Sequence, residues 1–258
     1  MIPFNEFVEE NSFIVCAHRG ASGIAPENTM AAVAMALECG APMVEIDVQY
    51  TRDRKMVVFH DDSLERTTDG KGLIKDWTFD DLRRLDAGSW FSPSFVGQRI
   101  PALIDVLQEL RGRAYVNIEI KPRAASEQTA AELAELIALV KDLDMFGKCV
   151  FSSFDHSALV YLRSVEPDVR TIALNVPGDE RSPVRVVRSC GADGFGCSIE
   201  ELTKERSEAC RHAGIPFGIY TVNTPQELEF VLDHGASGIV TNMPHIVIPH
   251  YRMIASTP

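Results

Sequence analysis

Two carboxylates set two residues apart in an apolar run are the first chemistry that this sequence offers. Val44, Ile46 and Val48 alternate with Glu45, Asp47 and Gln49, so a β-strand here sends its apolar residues to one side and its carboxylates to the other. A polar turn at Thr51–Lys55 follows, and an apolar run then returns to His60 and Asp61. The segment Tyr115–Lys121 repeats the pattern, with Val116, Ile118 and Ile120 alternating with Asn117, Glu119 and Lys121. Charges on a buried face are strongly unfavourable unless each is paired or bound to a cation. Two such faces, with a histidine brought back beside one of them, point to a metal site next to an acid/base group.

Glu45, Asp47 and Glu119 are hard oxygen ligands. They suit Mg²⁺ or Ca²⁺ better than zinc, and three carboxylates leave coordination positions for water and substrate. Histidine titrates near neutrality, so His18 and His60 could share acid and base duties. Arg19 and Lys121 offer two cations to an anion, and the guanidinium can make two-point contact with phosphate. One divalent cation, two histidines and two cationic side chains suit phosphoryl chemistry better than acyl transfer. Each residue alone has a plainer reading: a lone histidine is usually structural, Arg19 could pair with any carboxylate, and Glu27 could simply open a helix. Together these plain readings weaken, because the groups gather where separate strands end.

The elements that must carry them alternate. Strands are expected at Phe13–His18, Met43–Gln49, Tyr115–Lys121, Cys149–Ser152, Arg170–Leu174, Gly194–Cys197, Phe217–Val222 and Gly238–Thr241. Helical segments fall between them at Met30–Cys39, Ile104–Leu110, Glu127–Leu143, His156–Ser164, Val184–Ser189, Lys204–His212 and Pro225–Asp233. Asn28 or Thr29 is the expected N-cap of the first. Repeated Gly or Gly-Ala stops, as at Gly40-Ala41, Gly191-Ala192 and Gly235-Ala236, each lead within a few residues into a strand. Strands alternating with helices imply parallel βα units, and eight of them suit a closed (β/α)₈ TIM barrel. Met56–Phe59 is left out of that count, because the link from Asp47 is too short for a crossover helix and implies the return arm of a hairpin. The expected organisation is one domain over residues 1–258, with a small cap inserted after strand two at residues ~49–101. That insertion holds both tryptophans, Trp77 and Trp90, and belongs at the C-terminal face of the barrel.

Bulk properties narrow the partners. The chain has 258 residues, 45% of them hydrophobic, and a net charge of −12. That charge argues against nucleic acid and against stable attachment to an anionic membrane, while leaving room for a small anionic substrate. The six cysteines are irregularly spaced, form no Cys-x-x-Cys pair, and read as reduced core thiols. The acidic N-terminus has no signal-peptide design, and no run reaches the ~18 apolar residues of a membrane span. A cytoplasmic protein is the expectation; its oligomeric state is left open.

Several fragments, taken in order, resemble the glycerophosphodiester phosphodiesterase family. They are His18-Arg19-Gly20, Pro26-Glu27-Asn28-Thr29, Glu45-Ile46-Asp47, His60-Asp61, Arg66-Thr67-Thr68-Asp69-Gly70, Ile100-Pro101, Glu119-Ile120-Lys121, Thr221-Val222-Asn223 and Thr241-Asn242-Met243-Pro244. The resemblance implies a barrel with an insertion after strand two, metal ligation by Glu45, Asp47 and Glu119, acid/base work by His18 and His60, and phosphate binding by Arg19 and Lys121. It implies hydrolysis of glycerophosphodiesters to sn-glycerol 3-phosphate and an alcohol. Glu27, Asn28 and Asp61 are the residues expected to support this set from behind. Two positions depart from the family pattern. Tyr220 stands where tryptophan is expected and Asn242 where aspartate is common; both are assigned to the substrate rim, bearing on preference more than on activity. Rival readings are a lysophospholipase D, a phosphate-ligand-binding barrel without catalysis, and a barrel whose acidic rim is incidental.

Overall fold

The computed structural model describes residues 4–11, 13–122 and 127–256. Its strands and helices alternate from the start: α1 (Phe4–Glu10), β1 (Ile14–His18), α2 (Met30–Glu38), β2 (Met43–Tyr50) and β3 (Met56–Val58). The short α3 (Phe79–Leu82) and α4 (Leu103–Leu110) lead to β4 (Tyr115–Ile120), α5 (Glu127–Asp142), β5 (Cys149–Ser153), α6 (His156–Val165) and β6 (Thr171–Leu174). The chain finishes with α7 (Pro183–Cys190), β7 (Gly194–Ser198), α8 (Lys204–His212), β8 (Phe217–Tyr220), α9 (Pro225–Asp233), β9 (Gly238–Thr241) and α10 (Pro244–Ala255). Around the sheet the order is β1-β9-β8-β7-β6-β5-β4-β2, and β1 pairs with β2 to close it. Every pairing in that ring is parallel. This is the expected (β/α)₈ barrel. β3 stands outside it, antiparallel to β2 through Val48↔Val58 and Tyr50↔Met56, as the short link requires.

Both faces of the strands are buried, so alternation separates two interiors rather than core from solvent. Val44, Ile46, Val48, Val116 and Ile118 face outward into one continuous apolar cluster shared with the helices. Glu45, Asp47, Asn117 and Glu119 take the other parity and are buried too. At the N-terminal end of the barrel Phe7 of α1 stacks on Tyr115 at 4.0 Å, beside Cys16, Met43 and Val150, next to a mostly apolar cavity of about 410 Å³ lined by Ile14, Ile172 and Phe217 among others. Polar groups therefore collect toward the opposite, C-terminal end.

The residues between β2 and α4 have a small core of their own, formed by Val57, Phe59, Leu64, Ile74, Leu82, Ala87 and Ile100. Gln49 ties this excursion to the barrel by donating from Nε2 to the carbonyls of His60 (3.0 Å) and Asp61 (2.7 Å). All six cysteines carry free thiols. Among the described residues no helix is long and apolar enough to cross a membrane.

Three helices escape sequence patterning: α1, the four-residue α3 and α10. α1 is only seven residues long, and α10 carries Pro249 in its interior. An interior proline removes a helical hydrogen bond; α10 forms nonetheless because Val247 and Ile248 bury completely or nearly so in the main core.

Candidate active site

Strand register assembles the site. β1 pairs with β2 so that His18 lies opposite Glu45, and β2 pairs with β4 so that Asp47 lies opposite Glu119. Ligand atoms of Glu45, Asp47 and Glu119 consequently lie within 4.8 Å of one another, all at buried or nearly buried positions. The loop after β1 turns back at once. Arg19 has φ +54° and donates its backbone N–H to Glu45 Oε2 at 2.8 Å. Gly20 has φ +79°, and a Cβ there would stand 2.5 Å from the carbonyl carbon of Ala32. Only glycine lets the loop lie this close to α2.

Thr29, not Asn28, caps α2 by accepting from the N–H of Ala32. Asn28 instead takes φ +57° and donates from Nδ2 to Asp47 Oδ2 at 2.7 Å. Arg19 Nε is 3.3 Å from the same oxygen, and its Nη1 donates to Glu27 Oε1 at 2.7 Å. Lys121 Nζ lies 2.5 Å from Asp47 Oδ1 and donates to Glu119 Oε1.

His60 Nδ1 meets Asp61 Oδ1 at 2.5 Å. Arg66 clamps both supporting carboxylates: Nε and Nη2 donate to Asp61, and Nη1 and Nη2 to Glu27. His18 Nδ1 meets Asn242 Oδ1 at 2.6 Å, and His18 Nε2 is 3.9 Å from Glu45 Oε2. The structure thus brings together every residue expected at the site: His18, Arg19, Glu27, Asn28, Glu45, Asp47, His60, Asp61, Glu119 and Lys121. Sequence reasoning missed Arg66 as a member, although it sits in one of the family-like fragments. It also placed Asn242 on the substrate rim. The structure sets Asn242 Oδ1 against the imidazole of His18. Tyr220 packs edge-on against Phe154, with ring centroids 6.2 Å apart.

Charge at the site is unbalanced. With every carboxylate ionised, five (Glu27, Glu45, Asp47, Asp61, Glu119) face three cations (Arg19, Arg66, Lys121), a formal excess of two negative charges. The consequences differ by position. Burial would raise the Asp47 carboxyl, but Lys121 and Arg19 pull it well below the usual range. Burial and the neighbouring Asp47 and Glu119 push Glu45 well above it, and burial with Asp47 raises Glu119. The hydrogen bonds from Arg66 hold Asp61 at about 2. Burial, then the adjacent Arg19, lowers His18 to about 4, and burial lowers His60. Glu45 Oε1 is buried with no hydrogen-bond partner. Hard oxygen donors, an orphaned carboxylate oxygen and two uncompensated charges together fit a divalent cation.

A parallel barrel with a buried acidic cluster at the C-terminal ends of its strands, a histidine ending β1 and a second brought in from the segment after β3, defines an enzyme-type site for phosphoryl chemistry. The model of the glycerophosphoryl diester phosphodiesterase family matches residues 18–246, and the chain belongs to that family. A glycerophosphodiester phosphodiesterase of Caldanaerobacter subterraneus is 34% identical over 236 residues, covering 91% of this chain and 96% of that protein. One from Bacillus subtilis is 32% identical over 252 residues, covering 90% and 84%. Among solved structures, a glycerophosphodiester phosphodiesterase of Agrobacterium tumefaciens is 31% identical with a TM-score of 0.79, covering 90% of this chain and 97% of that one. A phosphodiesterase of Oleispira antarctica, solved with the product sn-glycerol-3-phosphate, is 28% identical with a TM-score of 0.85, covering 93% and 96%.

Proposed function

We propose that this protein hydrolyses glycerophosphodiesters to sn-glycerol 3-phosphate and an alcohol, using one divalent cation and two histidines. Family membership and relatives that share most of their length with this chain support the activity. The observation that carries the chemistry is the cluster of Glu45, Asp47 and Glu119, buried and short of positive charge beside His18. These carboxylates would hold the cation, and their hard oxygens favour Mg²⁺ or Ca²⁺. The cation's contribution when bound is Lewis-acid polarisation of a phosphoryl or hydroxyl oxygen.

The chain's own groups supply the rest. Arg19 and Lys121, held among the carboxylates, present cations to the phosphoryl oxygens, where negative charge grows in the transition state. His18 accepts the proton of the glycerol 2-hydroxyl as its oxygen attacks phosphorus. The bond from phosphorus to the departing alcohol breaks, and His60 protonates that oxygen. A neighbouring hydroxyl is already positioned on the substrate, which removes the entropic cost of recruiting a nucleophile. Water then opens the cyclic phosphate with the two histidines exchanging roles. Arg66 and Asp61 keep the His60 ring in place, and Glu27 anchors both arginines. The net charge of −12 supports an enzyme for small diesters over a protein of nucleic acid or anionic membranes.

The test is a panel of glycerophosphodiesters and lysophospholipids assayed with Mg²⁺, Ca²⁺ and Mn²⁺ after chelation. Metal-dependent release of glycerol 3-phosphate is expected; full turnover in chelator would overturn the metal reading. A substrate with hydrogen in place of the 2-hydroxyl should fail. Turnover as fast as the parent, with the metal still required, would establish direct attack by water instead.

A further inference from the structure

The two histidines are held by different partners. His60 Nδ1 faces a carboxylate, Asp61. His18 Nδ1 faces the side-chain oxygen of Asn242 at 2.6 Å. An amide oxygen only accepts hydrogen bonds, so the proton in this contact must sit on His18 Nδ1. Asn242 Oδ1 also accepts from Ser22 Oγ at 3.1 Å. The Asn242 backbone is pinned on both sides: its N–H donates to Asn223 Oδ1 at 2.8 Å, and its carbonyl accepts from the N–H of Gly23 at 2.8 Å. The amide is therefore presented to His18 from a loop fastened to the strand ends before and after it. Opposite Asn242, Nε2 of the same ring points toward the acidic cluster, 3.9 Å from Glu45 Oε2.

We propose that Asn242 is a positioning residue that holds His18 as the Nδ1–H tautomer and turns the Nε2 lone pair into the site. This deepens the reading of His18 as the first proton acceptor and rests on it. An imidazole can accept a proton only through an unprotonated nitrogen, and the group bonded to the other nitrogen decides which one that is. With Nδ1 carrying hydrogen, Nε2 is the reacting atom. If instead Asn242 turned its NH₂ group to the ring, Nδ1 would accept, Nε2 would carry the hydrogen, and the lone pair would face away from the substrate. Asn242 acts through His18 and touches no reacting atom in this scheme.

The experiment is long-range ¹H–¹⁵N correlation spectroscopy of the histidine rings in the full-length protein, with and without Mg²⁺. It is recorded near neutral pH, with His18 assigned by its loss in His18→Gln. The Nδ1–H tautomer is expected. Asn242→Asp, which keeps an oxygen acceptor and has no NH₂, should retain it. Asn242→Ala should lose it, and kcat should fall by on the order of 10- to 100-fold with KM little changed. Unaltered signals from the other histidines would show that the alanine variant is folded. An Nε2–H tautomer in the wild type overturns the proposal, as does an Asn242→Ala variant with wild-type tautomer and wild-type kcat. Loss of the Nδ1–H tautomer in Asn242→Asp overturns it as well, because an oxygen acceptor at this position would then not be what holds the hydrogen on Nδ1. The tautomer is read without turnover, so failure to hydrolyse any diester would count against the proposed activity and not against this assignment.

Discussion

Replacing Glu45 by glutamine should stabilise the metal-free protein while abolishing its response to metal. Glu45 is a buried acid whose carboxyl is raised by burial and by Asp47 and Glu119. An acid with a folded pKa above its unfolded value binds more protons when folded. Its effect on stability is neutral below the unfolded pKa; a cost grows as pH rises through the folded value and persists above it. Each unit of such a shift corresponds to about 1.4 kcal/mol. The side chain is only 3% exposed, so solvent does not screen this cost. Glutamine removes the charge and keeps a carbonyl oxygen for the Arg19 N–H, which now donates to Oε2 at 2.8 Å. Its NH₂ group takes the place of the orphaned Oε1 and can donate to the neighbouring carboxylates. A gain of about 1–2 kcal/mol in chelator at pH 7 is expected, at roughly 2–4 °C of Tm per kcal/mol for a chain of this size. Saturating Mg²⁺ or Ca²⁺ should reverse the order: cation at one hundred times its Kd stabilises the wild type by about 2.7 kcal/mol and leaves Glu45→Gln nearly unmoved. Thermal denaturation of both proteins in chelator and in excess cation reads this directly. A variant less stable than wild type in chelator would show that Arg19 and Lys121 already compensate Glu45. An equal metal-induced shift in both proteins would remove Glu45 from the ligand set.

Two other substitutions probe the support around the site. Arg66→Gln should lower kcat by about tenfold, because the Asp61 and Glu27 carboxylates that Arg66 clamps, and the His60 ring held by Asp61, lose their register. The same change bears on acid stability: Asp61, held at about 2 by Arg66, contributes stability that is present above its ordinary value near 4 and is lost as pH falls through about 2. In Arg66→Gln the acid-unfolding midpoint followed by circular dichroism should therefore move to higher pH, and coincident midpoints would count against the clamp. Gly20→Ala must place a methyl group 2.5 Å from backbone in a left-handed conformation, so urea denaturation should show a loss of about 2–3 kcal/mol; an unchanged midpoint would refute the close approach.

Alternation along β2 and β4 was enough to show that Glu45, Asp47 and Glu119 lie on polar faces, because a strand has period two wherever it is placed. The short link from Asp47 to Met56 was enough to require a hairpin, and glycine stops before several of the strands were enough to suggest βα units. These are local properties, carried by neighbours in the chain. Thr29 and Asn28 were not separable at this level. Both are good caps, and the choice fell to Asp47, 19 residues away, which takes the Asn28 amide. Distant partners were harder still. Asn242 reaches His18 across 224 residues and Arg66 reaches Glu27 across 39; no periodicity encodes either contact. α10 forms around an interior proline because burial of Val247 and Ile248 outweighs a poor local pattern. The sequence alone determined which side chains face the barrel interior and the kinds of group available there. Only the closed barrel decided which groups meet, because register and closure set the Glu45–His18 and Asp47–Glu119 pairs through contacts made when all the strands pack together.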